Sequence, residues 1–202
     1  NSTDGTVSDR PSNVEFFIRP ATNQAPVNAS TSVSASEMLA DDITTYTVTR
    51  VATDANGASD IKRMRILFNY YLNAPPDTIA SGQYRGYLSW GSTAANAQAF
   101  GADSATAQAA TGGGYWSYQL TGYGGTTYIT PVSCSTFTSG NDRTVSWTFK
   151  VKPAWWTSGP LSNNVNLMEH ATEDISNAQT FNRPSSGEYT VNIGNFIVKK
   201  IF

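Results

Sequence analysis

Arg143–Lys152 reads RTVSWTFKVK, and its alternation decides the fold. Val145, Trp147, Phe149 and Val151 fall on every second residue, with polar residues between them. A period of two is the signature of a strand with one face in a core and one in water. Ile61–Tyr71 repeats the pattern, placing Met64, Ile66 and Phe68 on one face and Arg63 and Arg65 on the other. Ile43–Ala52, Tyr84–Trp90, Thr127–Phe137, Asn164–Ala171 and Glu188–Phe202 add further β-rich runs. Turn signals separate them: Asn56-Gly57, Pro75-Pro76, Gly140-Asn141, Ser158-Gly159-Pro160 and Ser185-Ser186-Gly187. Such a series predicts an all-β, antiparallel sandwich. Met64, Ile66, Phe68, Val145, Trp147, Phe149 and Val151 are its expected core.

The remaining stretches are less regular. Ser34–Asp42 and Ala94–Ala110 are the two segments with helical potential, and both lack apolar periodicity. Gly101–Gly125 mixes glycines with Tyr115, Trp116, Tyr118 and Tyr123 and reads as a long decorated loop. Its rings either cover the sandwich or form a binding surface. At the N-terminus, Val14–Arg19 (VEFFIR) reads as one strand between Pro11 and Pro20, followed by a linker. The expected division is an extension over 1–24 and a sandwich over 25–202. A lone strand cannot bury its own face. Val14, Phe16 and Ile18 form its stripe and Phe17 its reverse side. It either folds back on its own sandwich or adds to the sheet edge of a second copy.

Composition narrows the function. The chain has 202 residues, of which 14% are charged, against roughly 25% in an ordinary soluble domain. Ser, Thr and Asn together number 63 and supply the polarity instead. A net charge of -2 argues against a nucleic-acid partner. No apolar run approaches the roughly 18 residues of a membrane-spanning helix. No signal-peptide pattern is visible, so the chain is expected to be cytosolic or already processed. Cys134 and His170 are the only residues of their kinds, which removes intrachain disulfides and Cys–His metal sites. Cys134 reads as a small buried hydrophobe.

Three kinds of chemistry can be weighed. Asp54, Asn56 and Asp60 supply three side-chain oxygens around Gly57, which suits either calcium or an Asx turn. No other cofactor is expected. Glu169, His170, Glu173 and Asp174 are the densest titratable group. On a regular strand Glu169 and Glu173 would share a face about 13 Å apart, too far for paired glycosidase carboxylates. No nucleophile elbow or phosphate loop appears, so an enzyme is not expected. Among the aromatics, Trp90, Trp116, Trp155 and Trp156 could stack on sugars with Tyr115 and Tyr118. Trp147 and Trp155 fit a core better, leaving Tyr115, Trp116, Tyr118 and Trp156 as a candidate glycan surface. Asn1-Ser2-Thr3 and Asn28-Ala29-Ser30 match the glycosylation pattern at near chance frequency.

Certain motifs carry a resemblance. NQAPV opens at Asn23. Asp54, Asn56, Gly57, Asp60 and Ile61 precede a strand ending in Phe68-Asn69, and Lys152-Pro153-Ala154-Trp155 follows the Thr-rich strand. Over residues 23–200 the chain resembles the immunoglobulin-like or fibronectin-III-like modules of bacterial secreted and cell-surface proteins. The resemblance implies a sandwich and an extracellular or cell-surface setting. It also implies a cysteine at the place of Gly86, whose absence would leave Cys134 without a partner. The expected function is a non-enzymatic structural subunit of a filament, pilus-like fibre or surface layer, with copies of itself as partners. The alternative is a carbohydrate-binding or adhesive module with glycan partners.

Overall fold

The computed structural model describes residues 23–68, 85–98, 104–122, 125–156, 164–174, 179–180 and 189–194. Two sheets face each other. The first has four strands in the order β1-β3-β9-β8: β1 (Val27–Val33), β3 (Thr45–Thr53), β9 (Asp142–Val151) and β8 (Ile129–Ser139). The second runs β2-β12-β10-β4-β5-β7-β6, with β11 (Gln179–Thr180) beside β10. Its members are β2 (Glu37–Leu39), β12 (Tyr189–Gly194), β10 (Asn164–Asp174), β4 (Ile61–Phe68), β5 (Gly86–Gly91), β7 (Tyr115–Tyr118) and β6 (Gln108–Ala109). Among these strands every pairing is antiparallel except β2 with β12, which is parallel. The chain is therefore an all-β sandwich.

The alternation read in β9 becomes the core. Val145, Trp147, Phe149 and Val151 are fully buried, as are Met64, Ile66 and Phe68 of β4. Phe68 meets Phe149 edge to face, with ring centroids 4.8 Å apart. The β8–β9 hairpin turns on Gly140 and Asn141, where Gly140 has φ 58°, the conformation a tight hairpin turn demands.

Where β4 meets β5 the second sheet is covered on both faces, which the alternation of β4 did not foretell: 64–68 and all of β5 are buried. Arg65, expected in water, is buried. The cover is the Ala-rich segment. Its described residues form one helical turn, α1 (Ala94–Ala97), capped by Thr93, and later the short β6, not a helix through Ala110. Hydroxyls on β5 and β7 hold it down: Ser89 donates to the Ala97 carbonyl (2.5 Å) and Ser117 to the Ala105 carbonyl (2.6 Å). Tyr87 also hydrogen-bonds Ser104. Gly91 permits the approach, since a Cβ there would lie 2.3 Å from the Ala97 nitrogen. Ser34–Asp42 likewise contains a strand, β2, rather than a helix. Gly101–Gly125 contains β7 in the body of the sheet, so it is not one continuous loop.

One inward position of β3 is a cation. Tyr46, Val48, Arg50 and Ala52 alternate toward the core, and Arg50 is fully buried. Its guanidinium crosses between the sheets, donating to the Arg65 carbonyl (2.7 Å) and to Asn28 Oδ1. A buried charge is tolerated only when so satisfied.

Replacing Trp147 by Ala should cost about 3–5 kcal/mol. Chemical denaturation checks this, and an unchanged midpoint would remove Trp147 from the core. Gly91→Val should also lower the melting temperature by displacing α1, while a control at an exposed strand position such as Ser133→Val should have a much smaller effect.

Candidate functional site

The four expected members of the N-terminal assembly strand, Val14, Phe16, Phe17 and Ile18, lie outside the described residues, as does most of the extension over 1–24. The surfaces such a strand would meet are described. β1 and β8 end the first sheet. Neither carries a charged residue, and both expose apolar side chains: Val27 is 60% exposed, Val132 45% and Phe137 61%. Each edge also has a bulge, between Asn28 and Ser30 in β1 and between Pro131 and Ser133 in β8.

The edges differ in one respect. Beside β8 stands Thr111, which joins it as an isolated parallel bridge at Ser135. The Thr111 amide donates to the Cys134 carbonyl (3.0 Å), and the Thr136 amide donates to the Thr111 carbonyl (2.8 Å). Beyond β1, no strand pairs among the described residues.

The aromatic segment sits next to Thr111. Gly112, Gly113 and Gly114 all have positive φ and form a tight turn. Trp90 Nε1 donates to the Gly113 carbonyl (3.1 Å), and the Arg143 guanidinium lies 4.3 Å from the centroid of the Trp90 ring. Burial lowers the Arg143 pKa, and this cation–π contact with two bonds to the Ala58 carbonyl compensates the charge.

The expected surface of Tyr115, Trp116, Tyr118 and Trp156 is not assembled as expected. Trp116 is only 5% exposed, because β7 alternates and turns this ring into the core beside Tyr118. Tyr118 is half-buried and Tyr115 is exposed. Trp156 closes a 3-10 turn at Pro153–Trp156, and its side chain is outside the description. Trp90 and Trp155 are buried as well. Trp155 helps close one end of the core, where Arg85 sits over its ring at 4.7 Å and over Tyr128 at 5.1 Å. Arg85 also donates to the Trp155 carbonyl.

Asp54, Asn56 and Asp60 do come together, around a turn. Asp54 Oδ1 accepts from the Asn56 amide at 2.8 Å, which is an Asx turn. Asn56 Oδ1 accepts from the Gln24 amide at 3.0 Å, and the Asp60 amide bonds back to the Gly57 carbonyl. Asp54 is buried. These contacts give two of the three expected ligands a role in the turn. Among the described residues no group of three His, Cys, Asp or Glu side chains could hold a metal.

On β10 the ladder shifts between Glu169 and Thr172. Glu169 pairs with Ile66 and Glu173 with Arg63, so four residue steps of β10 stand against three of β4 and the strand is not the regular one that the spacing of about 13 Å assumed. Cys134 is buried, and burial pushes its thiol far above the ordinary range. Gly86 is not its missing partner. A Cβ there would meet Ile129 at 3.3 Å, and Ile129 lies five residues from Cys134, about 15 Å along the strand.

No family model, curated protein or solved structure matches the chain. No helix among the described residues is long and apolar enough to cross a membrane.

A thiol reagent should label Cys134 only after denaturation, and fast labelling of the native chain would show that the strand opens. Because turn contacts occupy Asp54 and Asn56, the melting curve should be the same in calcium and in chelator. A rise of the midpoint with calcium would reinstate a cation there.

Proposed function

We propose that this protein is a non-enzymatic structural subunit of an extracellular assembly, a filament, pilus-like fibre or surface layer. Its copies are joined by strand addition. The observation that carries this reading is the edge at β1: uncharged, exposed, and without a further strand among the described residues. Natural sheets usually blunt such an edge with charge or cover. Among the described residues the blunting is limited to a bulge. The matching group is the alternating sequence Val14–Ile18, whose three apolar anchors would each contribute about 1.5–3 kcal/mol if buried as a strand.

Strand order supports an immunoglobulin-like reading of the sandwich. The order β1-β3-β9-β8 coincides with the A-B-E-D sheet of that fold. The order β12-β10-β4-β5-β7 coincides with its G-F-C sheet extended by C′ and C″. Low charge and a hydroxyl-rich composition support a secreted, extracellular or cell-surface location. The outer face of the first sheet is lined with Thr and Ser, including hydrogen-bonded pairs Thr47–Thr148 (3.2 Å) and Thr49–Ser146 (2.8 Å). The glycan-binding reading draws less support, since Trp116 is buried and Tyr115 is the one clearly exposed ring among the three candidates whose side chains are described.

Deleting residues 1–19 tests the proposal. The truncated chain should remain folded and monomeric where the full chain forms polymers in electron micrographs, and a peptide of residues 12–20 should bind it. If the truncated chain still builds the same polymers, strand addition by this segment is wrong.

A further inference from the structure

The two ends of the first sheet are built differently, and the difference has a direction. At β8, the two central residues that turn backbone groups outward are Cys134 and Thr136, and Thr111 already takes up the Cys134 carbonyl and the Thr136 amide. Thr111 is not a casual contact. Its turn is closed by hydrogen bonds between Ala110 and Gly114 (3.1 Å) and between Gly113 and Ala110 (3.2 Å). Gly112, at φ 88°, lies so close to β8 that a Cβ would stand 1.9 Å from the Thr136 carbonyl oxygen. Gly114, at φ 73°, lies close to the second sheet, where a Cβ would be 2.7 Å from the Gly91 carbonyl oxygen and from Trp90 Nε1. The turn is thus wedged between β8 and β5, and only glycine fits at these two positions.

At β1 the geometry is the reverse. The Ser34 amide donates to the Thr47 carbonyl (2.9 Å), and Val33 stands opposite Val48. Bonded and non-bonded pairs alternate along an antiparallel ladder, so Thr31 and Val33 turn their backbone groups away from β3, along the outer edge. No element of the described residues takes the place there that Thr111 takes at β8.

We propose that Thr111 plugs the β8 edge and leaves β1 as the acceptor edge of the sheet. An incoming strand is thereby received on one side only. The partner that fits is an extended, uninterrupted strand with alternating apolar residues, supplied by the N-terminal segment of a second copy. This rests on the strand-addition reading of the function and adds which edge receives the strand. One donor and one distinct acceptor per subunit make a heterologous contact, which propagates as an open fibre wherever its rotation does not close. An unplugged β8 would offer a second acceptor about 14 Å away across the sheet and would allow branching.

Photo-crosslinking of the full chain tests the assignment. Phe17 is replaced by a benzophenone amino acid, and isotopically light and heavy chains are mixed so that crosslinks between chains can be told from those within one. The expected result is interchain crosslinks to residues 27–33 and none to residues 129–139. Gly112→Val, which drives a side chain into the Thr136 carbonyl, should add crosslinks to residues 129–139. Thr111→Pro, which removes the amide that bonds Cys134, should do the same if the valine variant does not fold. Crosslinks to β8 in the unmodified chain would overturn the plug. Polymers without crosslinks to either edge would instead overturn strand addition. Crosslinks to β1 confined within one chain would support the acceptor edge and eliminate donation.

Discussion

The interdigitation of β9 with β4 is the contact on which the other features rest. Seven side chains, Met64, Ile66, Phe68, Val145, Trp147, Phe149 and Val151, are removed from water between two sheets. At roughly 1.5–3 kcal/mol for each large apolar side chain, this burial is the main force holding the sheets face to face. Its position sets the roles of the neighbouring strands. β4 and β9 are central in their sheets, so β1 and β8 become edges, and β5 and β7 need a cover on their outer side. The Ala-rich segment supplies that cover because its small side chains let backbone carbonyls reach Ser89 and Ser117.

A chain with few charges places the ones it has with care. Arg50 spans the sheets, Arg85 fills one end over Tyr128 and Trp155, and Arg143 lies over Trp90. In each case a guanidinium makes a hydrogen bond to a backbone carbonyl. The planar, multiply donating head of arginine suits this work, and lysine would not reproduce it. The outer face shared by β3 and β9 is left largely to hydroxyls.

What was legible in the residues tracked the period of two. β3, β4, β5, β8, β9, β10 and β12 were readable because alternation or β-branched content marked them. β1 was hidden, since VNASTSV is small, polar and interrupted by a bulge, and its strand state comes from pairing with β3. β2 and β7 were hidden by brevity, being three and four residues long. Trp116 was misplaced for the same reason: within a glycine-rich loop its ring belongs outside, but within a strand its parity sends it inward. The Asx turn at Asp54 was one of two open readings, and Arg50 was passed over because one cation among Thr and Val does not disturb the pattern. The Thr111 bridge left no sequence signal beyond the three glycines after it.

The proposed assembly depends on a single asymmetry between two edges, so the most direct measurement is amide hydrogen exchange of the full chain. Assembled polymer is compared with the chain lacking residues 1–19. The account predicts that Thr31 and Val33 exchange slowly in the polymer and quickly in the truncated chain, while Thr136 is protected in both. Equal exchange at Thr31 and Val33 in the two states would contradict it.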